Sequence, residues 1–230
     1  MTIAADGVVI ATAIYGVQNP DAAHRLVFTT GWANDRSVWL PLVDQLSNDH
    51  SSTIWDLRGH GESQIPAPGS YTRQHALGDL QAVVHEAGVP AVLVGHSLGG
   101  YLSLAYTIEN PKDISALVLI ASGPGFRNPD SRRQWNNSVK ASAKTLNQPP
   151  GVYEISLHVD SYVIDHLSQI TCPVLVLLGE RDHRFNSSAS LFERELDVRK
   201  TVVIPGQGHM VHLKAPTDCA AAIRKFTENL

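Results

Sequence analysis

Cysteine, methionine, strong charge and long apolar runs are what this 230-residue chain has little of. Its two cysteines, Cys172 and Cys219, form no spacing pattern, which excludes a disulfide framework and a cysteine-rich zinc site. Cys172 stands before Pro173 at a strand entry and Cys219 falls in the terminal helix, so both read as reduced structural residues of a cytoplasmic protein. No His-Glu-x-x-His or comparable ligand cluster occurs, and neither a metal nor another cofactor is expected. The net charge is −4 with both signs dispersed. Without a basic stripe there is no expectation of a nucleic-acid partner. No apolar run approaches the roughly 20 residues that a membrane helix needs. Met1-Thr2-Ile3-Ala4-Ala5-Asp6 has neither the basic nor the apolar part of a signal peptide.

What is present is alternation. The length suits one large α/β domain with a substantial core. Residues 2–5 and 8–15 read as a hairpin about Asp6-Gly7, with a loop at Asn19-Pro20-Asp21. Strands are expected at 26–29, 52–55, 91–94, 114–121, 174–178 and 201–204, and helices at 38–46, 72–87, 100–105, 187–196 and 215–229. Ser37 is the expected cap of the 38–46 helix, with Pro41 in its first turn; Gly88 stops the 72–87 helix. Strands alternating with helices predict an α/β fold: a mostly parallel sheet covered on both faces. Residues 122–171 break the rhythm and hold a polar helix-like piece near 131–146. They are too many for an ordinary connection between a strand and the next. They read as a small lid inserted between two parts of the core, 1–121 and 172–230.

The chain is organised around Val92-Leu93-Val94-Gly95-His96-Ser97-Leu98-Gly99-Gly100. A G-x-S-x-G between a buried strand and a helix is a nucleophile elbow, a turn tight enough to lift a serine Oγ above the sheet. Gly95 and Gly99 are needed where a Cβ would strike the neighbouring elements. The other landmarks follow in order. They are T-G-W at Thr30–Trp32, D-L-R-G-H-G-E-S at Asp56–Ser63, G-E-R-D at Gly179–Asp182 and G-Q-G-H at Gly206–His209. With the elbow these five, over nearly the whole chain, resemble the α/β-hydrolase superfamily, in particular a serine-nucleophile, lid-containing, esterase- or lactonase-like member.

The resemblance implies an α/β-hydrolase fold and the chain order serine, acid, histidine. Ser97 is then the nucleophile, Asp182 the acid and His209 the base; a serine hydroxyl needs both partners to react near neutral pH. Glu180 is the competing carboxylate, and His212 the competing imidazole. Some relatives draw the acid from the loop after the preceding strand, but Ser122 to Phe126 contains no carboxylate. The oxyanion hole would be the backbone N–H groups of Trp32 and Leu98. Thr30-Gly31 replaces the His-Gly of many relatives, which leaves the donor in place without its usual hydrogen-bond support. His60 is expected to do scaffold work. Trp32, His96, Phe126, Trp135, Tyr153 and Tyr162 are the expected pocket walls, with Leu157 and Val163 adding apolar lid surface. Arg127, Arg132 and Arg133 read as a solvated lid face, the alternative being a grip on a substrate carboxylate. The implied function is hydrolysis of a carboxylic ester, lactone or thioester through an acyl-enzyme, the partner being a small molecule with an apolar acyl group or ring. The alternatives are a non-hydrolytic enzyme of this fold (cofactor-free dioxygenase, carbon–carbon hydrolase, lyase or perhydrolase) or a non-catalytic ligand receptor. Gly31-Trp32-Ala33-Asn34-Asp35 has some likeness to the G-W-x-x-D loop of the dioxygenases.

Overall fold

A computed structural model describes residues 1–4, 6–17 and 24–230. The expected Asn19-Pro20-Asp21 loop and Ala5 lie outside the described residues. In chain order the strands are β1 Thr2–Ile3, β2 Val9–Ile10, β3 Thr12–Gly16, β4 Arg25–Thr29, β5 Ser51–Trp55, β6 Ala91–His96, β7 Ile114–Ile120, β8 Val174–Gly179 and β9 Val198–Ile204. The α-helices are α1 Leu40–Leu46, α2 Arg73–Ala87, α3 Leu98–Glu109, α4 Pro129–Thr145, α5 Tyr162–Asp165, α6 Asn186–Glu195, α7 Val211–Lys214 and α8 Pro216–Thr227. Seven strands form the main sheet in the order β3-β5-β4-β6-β7-β8-β9, parallel throughout except for β3.

Burial explains the sheet. β6 and β8 are buried along their whole length, as a strand covered on both faces must be. Leu93 and Leu117 face a core shared with Leu80, Val84, Leu102 and Phe192 of α2, α3 and α6. Val92, Val94 and Val118 face a second core with Leu42, Leu46, Ile223 and Phe226 of α1 and α8. Alternate residues of one strand thus serve opposite cores. Cys219 lies in the second core, and burial pushes its thiol up to about 12 and that of Cys172 up to about 11, so both stay protonated near neutral pH.

Three local expectations are corrected. The second hairpin arm is not one strand: β2 turns back onto β1, β3 joins the main sheet, and at the break Ala11 N–H donates to Ser63 Oγ at 2.9 Å. Ser37 is not the cap. Asp35 accepts from the Ser37 N–H at 2.8 Å and starts a 3-10 turn, Arg36–Trp39, ahead of α1, because its carboxylate is the stronger acceptor and already holds the first free donor. The closing helix begins at Pro216, after the separate turn α7. The D-L-R-G-H-G-E-S stretch is scaffold: Asp56 accepts from the Arg36 and Glu62 N–H groups, Arg58 pairs with buried Asp79, and the Nδ1 of His60 bonds the Arg58 carbonyl at 3.0 Å.

Candidate active site

The sheet order reverses around β4: β5 lies on one side of it and β6 on the other. The crevice at the carboxyl ends of such strands is where open α/β sheets bind ligands. The loops leaving β4, β6, β8 and β9 meet there and carry Trp32, Ser97, Asp182 and His209.

Ser97 joins β6 to α3 with φ +53° and ψ −114°, a backbone conformation that side-chain-bearing residues rarely adopt. Crowding enforces it. A Cβ on Gly99 would fall on the main-chain carbonyl of Thr29, and one on Gly95 would lie 2.5 Å from Gly100 Cα. Ser122 Oγ, from the loop after β7, donates to the Ser97 carbonyl at 2.9 Å and closes the turn from the other side. Leu98 opens α3, so its N–H has no partner within the helix and is a free donor beside Ser97.

Asp182 is buried, and its Oδ2 accepts from Nδ1 of His209 at 2.8 Å. A carboxylate acceptor fixes the Nδ1–H tautomer and leaves Nε2 with its lone pair. Phe185 stacks on the His209 ring, centroids 5.2 Å apart and planes 19° apart. Glu180, the competing carboxylate, instead accepts from the Gly206 N–H at 2.8 Å and braces the turn before His209. His212, the competing imidazole, is fully buried between Trp39 and His96, each ring 4.3 Å away. Burial holds it neutral, down to about 3. His96 is also buried and kept neutral, and its Nε2–H donates to the His209 carbonyl at 3.0 Å.

A cavity of about 650 Å³ opens over this edge. Ser97, His209, Trp32, Leu98, His96, Phe126 and Trp135 line it, with Asp182 behind His209. Tyr153 and Tyr162 do not, contrary to expectation. Tyr162 packs its ring on His166 and lies under the Arg73 guanidinium, while Tyr153 belongs to a 3-10 turn, Val152–Ser156, of which Ser156 alone lines the cavity. Leu157 and Val163 are outside it too. A short turn has no long apolar period from which the inward face could be read. The walls that the sequence did not announce include Tyr101, Val139, His158, Arg184, Phe185 and Leu191. Arg184 and Phe185 carry a signal, since they stand two and three residues after Asp182. Of the three arginines Arg127, Arg132 and Arg133 none lines the cavity: Arg127 pairs with Asp165, Arg133 with Asp130, and Arg132 donates to the Phe126 carbonyl at 3.1 Å.

The model of the alpha/beta hydrolase family matches residues 26–222, and the chain belongs to that family. Along 98% of its length it is similar, at 23% identity, to a Bacillus subtilis protein named for 2-succinyl-6-hydroxy-2,4-cyclohexadiene-1-carboxylate synthase activity, of which the match covers 97%. A pimeloyl-[acyl-carrier protein] methyl ester esterase of Xylella fastidiosa is 34% identical over 121 residues, 52% of this chain and 44% of the esterase. Among solved structures, a thermophilic esterase from Thermogutta terrifontis superposes with a TM-score of 0.84 at 22% identity, covering 100% of this chain and 98% of that one, a likeness of fold.

Proposed function

We propose that this protein is a serine hydrolase that cleaves a carboxylic ester, lactone or thioester through an acyl-enzyme on Ser97. One observation carries the reading: His209, tied by Nδ1 to buried Asp182, presents its ring to the same cavity as Ser97, which is held on a strained turn. In this reading Nε2 of His209 takes the proton as Ser97 Oγ adds to the carbonyl carbon. The N–H groups of Leu98 and Trp32 receive the developing oxyanion. The protonated His209 returns its proton to the leaving group, and the cycle repeats with water. Residues 122–171 act as the lid, because Phe126, Trp135, Val139 and His158 roof the cavity. The family's esterase relatives support this chemistry.

A second reading, a non-hydrolytic reaction on the same residues, is favoured by the end-to-end similarity to the synthase. The test is fluorophosphonate labelling followed by turnover of p-nitrophenyl esters, lactones and acyl thioesters, aerobically and under nitrogen, in water enriched in ¹⁸O. Labelling of Ser97 alone, loss of turnover in Ser97→Ala and ¹⁸O in the acid product are expected. Turnover that survives Ser97→Ala, needs oxygen or leaves water out of the product would overturn the hydrolase reading.

A further inference from the structure

The cavity lining contains no aspartate or glutamate and one permanent charge, Arg184. Of its histidines, His96 and His158 are held neutral by burial, His158 down to about 4. Several other arginines sit against carboxylates, as Arg73 does on Asp160, Arg127 on Asp165 and Arg133 on Asp130. Among the described residues Arg184 has no such partner. Its guanidinium lies over the Trp135 ring, 5.8 Å from the centroid, a contact that holds the charge through the ring face and leaves the N–H edge unpaired. Hydroxyls share this wall: Ser138 and Ser142, one helical turn apart on α4, and Ser187 and Ser188 on α6. Nothing in ester cleavage by Ser97 and His209 calls for a fixed cation in the pocket.

We infer that Arg184 receives an ionised carboxylate of the substrate, remote from the bond that is cleaved. The inference rests on the hydrolase reading and narrows it to esters, lactones or thioesters with a second, anionic end. The planar guanidinium matches a carboxylate in two parallel hydrogen bonds, and the partly apolar cavity strengthens the pairing relative to water. A cationic substrate would meet the same Arg184 as a repulsion.

The test compares monomethyl esters of the dicarboxylic acids from succinate to suberate with their dimethyl twins, and p-nitrophenyl acetate with esters whose carboxylate sits on the alcohol side. Wild type should favour an anionic member of one series. Arg184→Gln should lower the anionic-to-neutral ratio of kcat/KM about ten- to hundredfold, the range for a hydrogen-bonded charge. Arg127→Gln, which removes a lid cation outside the cavity, should leave that ratio alone. A second readout needs no turnover. In Ser97→Ala the same monoesters should change the intrinsic tryptophan fluorescence saturably, and Ser97→Ala/Arg184→Gln should lose the response. Arg184-dependent binding without hydrolysis would uphold the carboxylate site and sink the hydrolase reading. Ser97-dependent hydrolysis with equal rates for charged and neutral twins, and no Arg184-dependent fluorescence change, would overturn the carboxylate site alone.

Discussion

The Nε2–H of His96 meets the main-chain carbonyl of His209 at 3.0 Å, and the two rings pack with centroids 4.7 Å apart. The residue before the proposed nucleophile therefore holds the loop of the proposed base. A carbonyl only accepts, so Nε2 carries the proton of His96 and Nδ1 is bare, facing Gly31, where a Cβ would lie 2.9 Å from it. One imidazole sets the spacing of three loops, those of Trp32, Ser97 and His209.

That contact leads to the first prediction. His96→Ala should lower kcat about tenfold, the worth of one buried hydrogen bond and its packing, with KM little changed, because the His209 loop loses its donor. His96→Gln, which can return an N–H near the Nε2 position, should recover much of the loss. Steady-state kinetics and the rate of fluorophosphonate labelling check both. An unchanged kcat in His96→Ala would show that the His209 loop needs no such brace.

The second prediction separates the carboxylates. Asp182→Asn should reduce kcat by several orders of magnitude, since about 10⁴-fold is lost when a triad aspartate is neutralised. Glu180→Gln should be mild, because its carboxylate is spent on the Gly206 N–H. A larger loss in Glu180→Gln than in Asp182→Asn would move the acid to Glu180.

Much of the fold is legible in the sequence. The order of elements was readable because both faces of the sheet are covered, so β6, β7 and β8 stand out as short apolar runs. β9 begins three residues before the expected 201–204, since Arg199 and Lys200 on an exposed edge strand break the apolar pattern. Ser97, Asp182 and His209, which share one end of the sheet, stand in glycine-marked turns whose steric demands are local. The pocket wall was read least well. Tyr153 and Tyr162 are aromatic by type, yet the direction in which each points depends on short turns with no period of their own. The contacts of Ser122 with Ser97 and of His96 with His209 join residues far apart in sequence, which no local pattern announces.

The third prediction sets two glycines against each other. A Cβ on Gly99 would land on the Thr29 carbonyl, backbone that cannot swing away, whereas one on Gly208 meets nothing within 4 Å. Gly99→Ala should therefore lose fluorophosphonate labelling and most of its folded yield, while Gly208→Ala should fold like wild type. Circular dichroism and soluble yield would decide, and a well-folded, fully labelled Gly99→Ala would mean the elbow can relax.

The last prediction concerns acid stability. His212 is wholly buried, neither ring nitrogen has a partner among the described residues, and burial pulls its pKa down to about 3. In the unfolded chain it titrates near 6.5. Its folded value is the lower one, so above about pH 6.5 both states hold it neutral and its contribution is complete. Between 6.5 and 3 the unfolded chain binds a proton that the folded chain refuses. Stability then falls as pH falls, by about 1.4 kcal/mol per pH unit for this one group, or roughly 2 kcal/mol from pH 7 to pH 5. His212→Phe keeps a ring between Trp39 and His96 and removes the titration. The slightly larger ring strains the packing, so absolute stability is not the quantity to compare. The dependence on pH is the cleaner readout, since carboxylates and the other histidines contribute to both proteins and cancel in the difference. Urea unfolding at pH 7, 6 and 5 should show the variant losing about 2 kcal/mol less than wild type over that range. Parallel curves for the two proteins would mean that His212 takes up its proton inside the fold, against the burial that surrounds it.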